Sequence, residues 1–185
     1  MSLKHAILGF LNYRPFTGYD LKAAFDTSVH HFWPADQSQI YRTLASLAEE
    51  RLAEVELVEQ ESRPDRKVYH ITELGQEELR HWLSLRLPAE HARSSQLVQV
   101  FFAGQLSDEE ILTALEHTRH RLRSRLEEYA RVPEQAQVYM DMVNSPRETF
   151  FWMLTLECGI RTHQAQLEWI ESVIERLGKK QHPAH

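Results

Sequence analysis

The sequence predicts a mainly α-helical protein carrying one small β hairpin. Three observations support this. Apolar residues recur every three or four positions through most of the 185 residues, as amphipathic helices require. Period-two spacing appears at Val55/Leu57 and again at Tyr69/Ile71, on either side of a Pro64-Asp65 turn. A seven-residue apolar repeat then runs from Leu156 to Leu177.

Ser2 to Leu11 reads as a short buried helix with Leu3, Ala6, Ile7, Phe10 and Leu11 on one side. Arg14-Pro15-Phe16 breaks it. Thr17 caps a second helix, and Asp20 completes an acidic version of the capping box. That helix turns Leu21, Ala24 and Phe25 inward, and Gly18 in its first turn permits a close approach by another helix or by a DNA backbone. After Phe32-Trp33-Pro34, Asp36 caps a third helix with Gln39 at the reciprocal position. It runs to about Arg51 and buries Ile40, Leu44, Leu47 and Ala48. Its other side carries Gln37, Ser38, Tyr41, Arg42, Thr43 and Ser46, and turns acidic only at Glu49-Glu50. Leu52 to Gln60 and Lys67 to Ile71 form two strands, with Arg63, Arg66 and Lys67 around the turn. Thr72 starts a fourth helix holding Leu74, Leu79, Trp82 and Leu83. Three helices, a hairpin and a helix in this order make a winged helix-turn-helix domain over residues 1–83.

Residues 84–95, with Pro88 and His91, read as a connection. A helical dimerisation domain is expected over 96–178, and a frayed tail over 179–185. Phe101 and Phe102 belong to an apolar cluster closed by Gly104. Ser107-Asp108-Glu109-Glu110 is a capping box, and its helix carries Ile111, Leu115, Thr118, Leu122, Leu126 and Tyr129 until Pro133 is expected to end it. Ser145-Pro146-Arg147-Glu148 opens the last helix, which extends to about Leu177. Such a helix is roughly 45 Å long, more than a small domain needs. The seam of Leu115, Leu122, Leu156, Ile160, Leu167, Ile170, Ile174 and Leu177 is therefore expected to be completed by a second copy; the alternative is a self-contained three-helix bundle.

The formal net charge is −6, and residues 1–83 carry nine Lys/Arg against thirteen Asp/Glu. Nucleic-acid binding then depends on where the cations sit rather than on their sum. The hairpin concentrates three of them at its tip, where Arg66 and Lys67 suit phosphates or the minor groove, with Arg63 assisting. On the third helix, the Tyr41 hydroxyl suits a phosphate, and Arg42 suits a phosphate or a guanine edge. Gln37, Ser38 and Thr43 suit base edges or backbone. Tyr19 either reaches a phosphate or rests on the third helix, while Asp20 and Asp65 read as cap and turn residues. The pattern points to a reader of double-stranded DNA, working as a homodimer on an inverted repeat because an acidic monomer would bind weakly. A winged helix that recognises a protein instead is the competing reading.

Other classes find little support. No glycine-rich phosphate loop, nucleophile elbow or catalytic carboxylate pair is present, so no enzymatic activity and no cofactor are expected. His30-His31, His117/His120 and His182/His185 lack a third and fourth metal ligand. The lone Cys158 excludes an internal disulfide, fits a reducing cytoplasm and reads as a core residue. No secretory leader or membrane span is expected.

The phrases Thr17-Gly18-Tyr19-Asp20, Gln39-Ile40-Tyr41-Arg42-Thr43-Leu44 and Asp65-Arg66-Lys67-Val68-Tyr69-His70-Ile71-Thr72-Glu73-Leu74-Gly75 resemble the PadR family of bacterial transcription regulators. Ser2-Leu3-Lys4-His5-Ala6-Ile7-Leu8 and Phe32-Trp33 look like the long-form branch that contains a virulence-gene activator. The resemblance implies a homodimer whose C-terminal helices interlock and whose wings and third helices read a palindromic operator. Many members are repressors, some released by phenolic acids, and the branch also includes an activator. A small aromatic ligand would sit where the winged domain meets the C-terminal helices, with Phe101, Phe102, Phe150, Phe151, Trp152 and Trp169 available to line its site; most of these read as plain core.

Overall fold

The computed structural model describes residues 2–59, 66–86 and 94–181 and divides into two compact units, Met1–Pro88 and Ala89–His185. The first unit runs α1 (Ser2–Tyr13), β1 (Phe16–Thr17), α2 (Gly18–Thr27), α3 (Gln37–Glu49), β2 (Ala53–Val58), β3 (Arg66–Ile71) and α4 (Glu73–Ser84). A single 3-10 turn, Val29–His31, follows α2. Both expected caps form, but Asp20 does not complete a box: its carboxylate accepts from the Thr17 hydroxyl rather than the Thr17 amide. Thr17 Oγ1 accepts from the Asp20 amide, and Asp36 and Gln39 exchange the reciprocal bonds of a capping box.

Ile7, Leu8, Leu11, Leu21, Phe25, Ile40, Leu44 and Leu47 are buried together where α1, α2 and α3 meet. The inward side of α1 is rotated from the expected one. His5 is buried and stacks on the Trp82 ring of α4 at 4.5 Å, whereas Leu3 and Ala6 are only partly covered. Lys4 holds Glu50 at 2.8 Å and Glu78 at 3.4 Å, tying α1 to the end of α3 and to α4.

The sheet has three strands, not two, in the antiparallel order β1-β3-β2. Phe16 lies opposite Tyr69 and Thr17 opposite Val68, so the residues that break α1 also add an edge to the wing. The alternation in β2 does not mark an inward face. Ala53 is buried, but Val55 and Leu57 are 40% and 63% exposed: β2 is an edge strand, whereas its partner β3 keeps Tyr69 buried. In α4, Leu79 is buried, whereas Leu74 and Leu83 are exposed.

The base of the wing is tightly closed. Arg51 takes a left-handed conformation, with φ of 59°, to turn from α3 into β2. The Thr72 amide and hydroxyl then bond the Leu52 and Arg51 carbonyls, while the hydroxyl caps α4 at Gly75.

The second unit contains α5 (Ser95–Phe101), α6 (Asp108–Val143) and α7 (Pro146–Gly178). The Ser107–Glu110 capping box opens α6, and Ser145 caps α7 with Pro146 in its first turn. Pro133 does not end α6, which continues for 36 residues with the proline inside. Packing along α7 outweighs the proline's local cost, and Ala136 beyond it is buried. The helix stops at Asn144, left-handed with φ of 45°. α6 and α7 are antiparallel. Leu115 and Leu122 meet Ile170, flanked by Ile111, Leu167, Val173, Ile174 and Leu177.

Several side chains read as core lie at the surface of the chain. Phe101 is 80% exposed, and Phe102, Phe150, Phe151 and Leu154 are exposed as well. Cys158 is exposed, because its side of α7 faces away from α6. Among the described residues no helix is long and apolar enough to cross a membrane.

Candidate nucleic-acid interface

The first two turns of α3 present a side that the helical core does not need. Gln37, Ser38, Tyr41 and Arg42 are exposed and Thr43 is partly covered, while Ile40 and Leu44 point inward. Helical spacing thus gives one element both an anchor and a free face. The free face is not uniformly available. Ser38 donates its hydroxyl to Asp36 at 2.7 Å, and Thr43 donates to the Gln39 carbonyl at 2.8 Å. Arg42 makes one long bond, from Nε to the Ser38 carbonyl at 3.4 Å, leaving its terminal nitrogens directed outward. The Ser38 hydroxyl and the Gln39 amide hold the Asp36 carboxyl below its ordinary value, so it stays ionised as an N-terminal cap.

Tyr41 has two roles. Its ring lies against Gly18 of α2, and its edge remains 43% exposed. Burial, followed by the proximity of Tyr41, raises the Tyr69 hydroxyl above its ordinary value. The third helix meets the second at the Tyr41 phenol. Tyr19, two residues from the cap, is 72% exposed.

The wing cations part company. Arg66 and Lys67 are adjacent on β3, opposite Val58 and Leu57, so the pleat sends them to opposite faces. Arg66 Nη2 donates to Asp20 Oδ2 at 2.6 Å. Lys67 is exposed and has no ion pair among the described residues. Arg63 and the Pro64-Asp65 turn lie outside the described residues. Sequence reasoning took Asp20 for a cap alone. Its long-range role, 46 positions from Arg66, leaves no local signal.

In the second unit, Leu115, Leu122 and Ile170 are buried together between α6 and α7, and Leu156 is buried as well. Ile160, Leu167, Ile174 and Leu177 are partly covered. Met153, Leu156, Glu157, Ile160, Arg161 and Gln164 of α7 line a shallow concavity of about 550 Å³. Among the described residues no group of three His, Cys, Asp or Glu side chains is placed to hold a metal ion.

Known proteins share this arrangement. Residues 7–81 match the model of the transcriptional regulator PadR-like family, and residues 92–178 match that of the virulence activator alpha C-terminal domain. A probable transcriptional regulator of Mycobacterium tuberculosis is 30% identical over 97% of this chain and all of its own length. The chain belongs to the PadR family. It is a transcriptional regulator with a winged-helix fold, not an enzyme. The negative transcriptional regulator PadR of Bacillus subtilis is 25% identical over 96% of this chain and 98% of its own. Its crystal structure with operator DNA gives a TM-score of 0.82, covering 96% of this chain and 99% of that one. The same Bacillus protein has been solved with p-coumaric acid, at a TM-score of 0.75 over 95% of each chain. The virulence activator AphA of Vibrio cholerae is also similar, 25% identical with a TM-score of 0.74 over 96% of this chain and 99% of that one.

Proposed function

We propose that this regulator binds an inverted-repeat operator as a homodimer and represses the gene beside it. The observation carrying this reading is the exposed start of α3, where Tyr41 and Arg42 stand clear of the core. Gln37, Tyr41 and Arg42 enter the major groove, where Arg42 reads a guanine or grips a phosphate. Ser38 and Thr43 join them only by giving up their present acceptors or by accepting a bond. Lys67 and Arg63 bring the wing to the backbone, and Tyr19 adds a phosphate contact from α2. The operator complex of the Bacillus relative supports the DNA partner.

Residues 1–83 read the DNA, and residues 96–178 pair the copies. A second copy covers the exposed phenylalanines of α5 and α7, which a chain alone leaves in water. Two half-sites then add their affinities through one assembly, which offsets the acidity of each reading unit. The p-coumaric acid complex of the Bacillus protein makes a small aromatic acid the first compound to try for release.

Footprinting on DNA upstream of the protein's own gene tests the proposal. Protection of two symmetric half-sites, lost steeply as salt rises, is the expected result. A protein that protects no such repeat at low salt is instead a winged-helix adaptor for another protein.

A further inference from the structure

Asp20 holds together three pieces of the reading unit. Its carboxylate accepts from the Thr17 hydroxyl at 2.8 Å and from Arg66 Nη2 at 2.6 Å. Burial alone would raise this carboxyl, but Thr17, Arg66 and then the charge of Arg14 outweigh it and keep it below its ordinary value. Arg14 is itself fixed, its guanidinium lying 3.9 Å over the Phe16 ring of β1. Two residues before Asp20, Gly18 seats the Tyr41 ring. The short step from Gly18 to Asp20 therefore touches both the reading helix and the wing.

The β1 ladder holds β3 as far as Val68, and beyond it toward the tip the wing has fewer fixed contacts. Beyond Ala53 every residue of β2 is exposed, and the His70–Glu56 contact at 2.8 Å stays within the hairpin. Among the described side-chain hydrogen bonds, Arg66–Asp20 is the one that joins the tip-side end of β3 to a helix. Moving Arg66 onto a phosphate would bare the Asp20 carboxylate near a polyanion, so the pair is better kept closed when DNA is present.

The geometry points to Arg66 and Asp20 as a positioning pair that sets the angle between wing and reading helix, with the backbone contact made by Lys67 from the opposite face of the strand. This rests on the DNA-reading function proposed above. It removes Arg66 from the phosphate contacts expected of a wing arginine and gives the acidic residue a positive part in binding.

Operator affinity measured by fluorescence anisotropy across a salt series separates the two roles. As a positioning pair, Asp20→Asn weakens binding about tenfold although it removes a negative charge, a change of roughly 1.4 kcal/mol. Arg66→Gln weakens it by a similar factor, and the double variant is no worse than either single one. Neither changes the salt slope, whereas Lys67→Gln lowers it by about one unit. Circular dichroism verifies that each variant is folded, and Arg66→Gln still decides the matter if Asp20→Asn is not. Tighter binding by Asp20→Asn, or a lower salt slope with Arg66→Gln, overturns the pair. If the unaltered protein binds no operator, the proposed function fails first and takes this inference with it.

Discussion

A side chain at Gly18 would place its Cβ 2.6 Å from Cε1 of Tyr41. The glycine is there to receive a ring from the next helix, and this contact sets how the start of α3 stands against α2. Gly18→Ala should shift the phenol by some tenths of an ångström. The obstacle is the outer end of a side chain, so the fold should survive with a loss of about 1 kcal/mol. Operator binding should fall more than stability does. Tyr41→Phe keeps the packing and removes only the hydroxyl, so melting should be unchanged while affinity drops about tenfold, equivalent to one hydrogen bond to a charged group. Equal affinity for Tyr41→Phe and the natural protein would make the residue a packing element alone.

Gly75 is constrained by backbone. A Cβ there would come 2.1 Å from the Leu52 carbonyl oxygen, the acceptor of the Thr72 amide. Neither partner can turn aside without opening the base of the wing. Gly75→Ala should cost at least about 3 kcal/mol, the upper end for an ordinary overpacked site. A melting temperature within a degree or two of the natural value would contradict this close contact.

These two glycines show what the sequence could disclose. The place of Gly18 in a first helical turn invites a reading as a point of close approach and that of Gly75 does not, and the approaching atoms come from 23 positions later for Gly18 and 23 earlier for Gly75, beyond any local pattern. Caps at Thr17, Asp36, Ser107 and Ser145 were legible because both partners lie within three residues. The exposed side of α3 was legible from its polar character. β1 was not, since two residues make a strand only through their partners on β3. The exposure of Phe101, Phe102, Phe150 and Phe151 was not legible, since apolarity alone does not say whether a side chain finds cover within its own chain. The heptad spacing was legible as a seam, and Leu115, Leu122 and Ile170 pack together on it within one chain; the partner helix, α6, lies too far away in sequence for spacing alone to name it.

Acid should loosen the reading unit first at its carboxylates. Asp20, Glu50 and Glu78 all sit below their ordinary values of 3.8, 4.5 and 4.5. The Lys4 hydrogen bond is the main cause for Glu50 and the His5 bond for Glu78, while at Asp20 the bonds from Thr17 and Arg66 overcome burial. A carboxyl lowered by folding stabilises above its unfolded value and stops doing so as pH falls through the folded one. Melting temperature should therefore hold from pH 7 to about 5 and decline below about 4.5. Lys4, raised above 10.5 chiefly by Glu50, adds stability that is lost only on the alkaline side. Glu78→Gln should flatten the acid decline; an unaltered decline would show that this residue contributes nothing to it.

The exposed phenylalanines give the pairing of copies a direct test. Phe101 and Phe102 form an edge-to-face pair on α5, as do Phe150 and Phe151 on α7. Phe101→Glu and Phe150→Glu should shift the sedimentation coefficient toward that of one chain and weaken operator binding. Each leaves the α6–α7 seam intact, so helical content should not change. A dimer that survives both changes at micromolar concentration would place the pairing surface elsewhere.

Pro133 is the clearest local contradiction in the second unit. It lies within α6 and has no amide hydrogen for the carbonyl of Tyr129, four residues earlier. Tyr129 is itself 2% exposed, with its ring edge-on to His163 at 5.3 Å, so the gap falls beside a buried contact. The α6–α7 packing holds the helix together across it. Pro133→Ala restores the missing donor and a strong helix former, and should stabilise the second unit by about 1–3 kcal/mol. The gain should appear as slower amide hydrogen exchange from Tyr129 through Ala136 and a higher melting temperature. A lower melting temperature would instead mean that Tyr129 and His163 need the bend that the proline imposes.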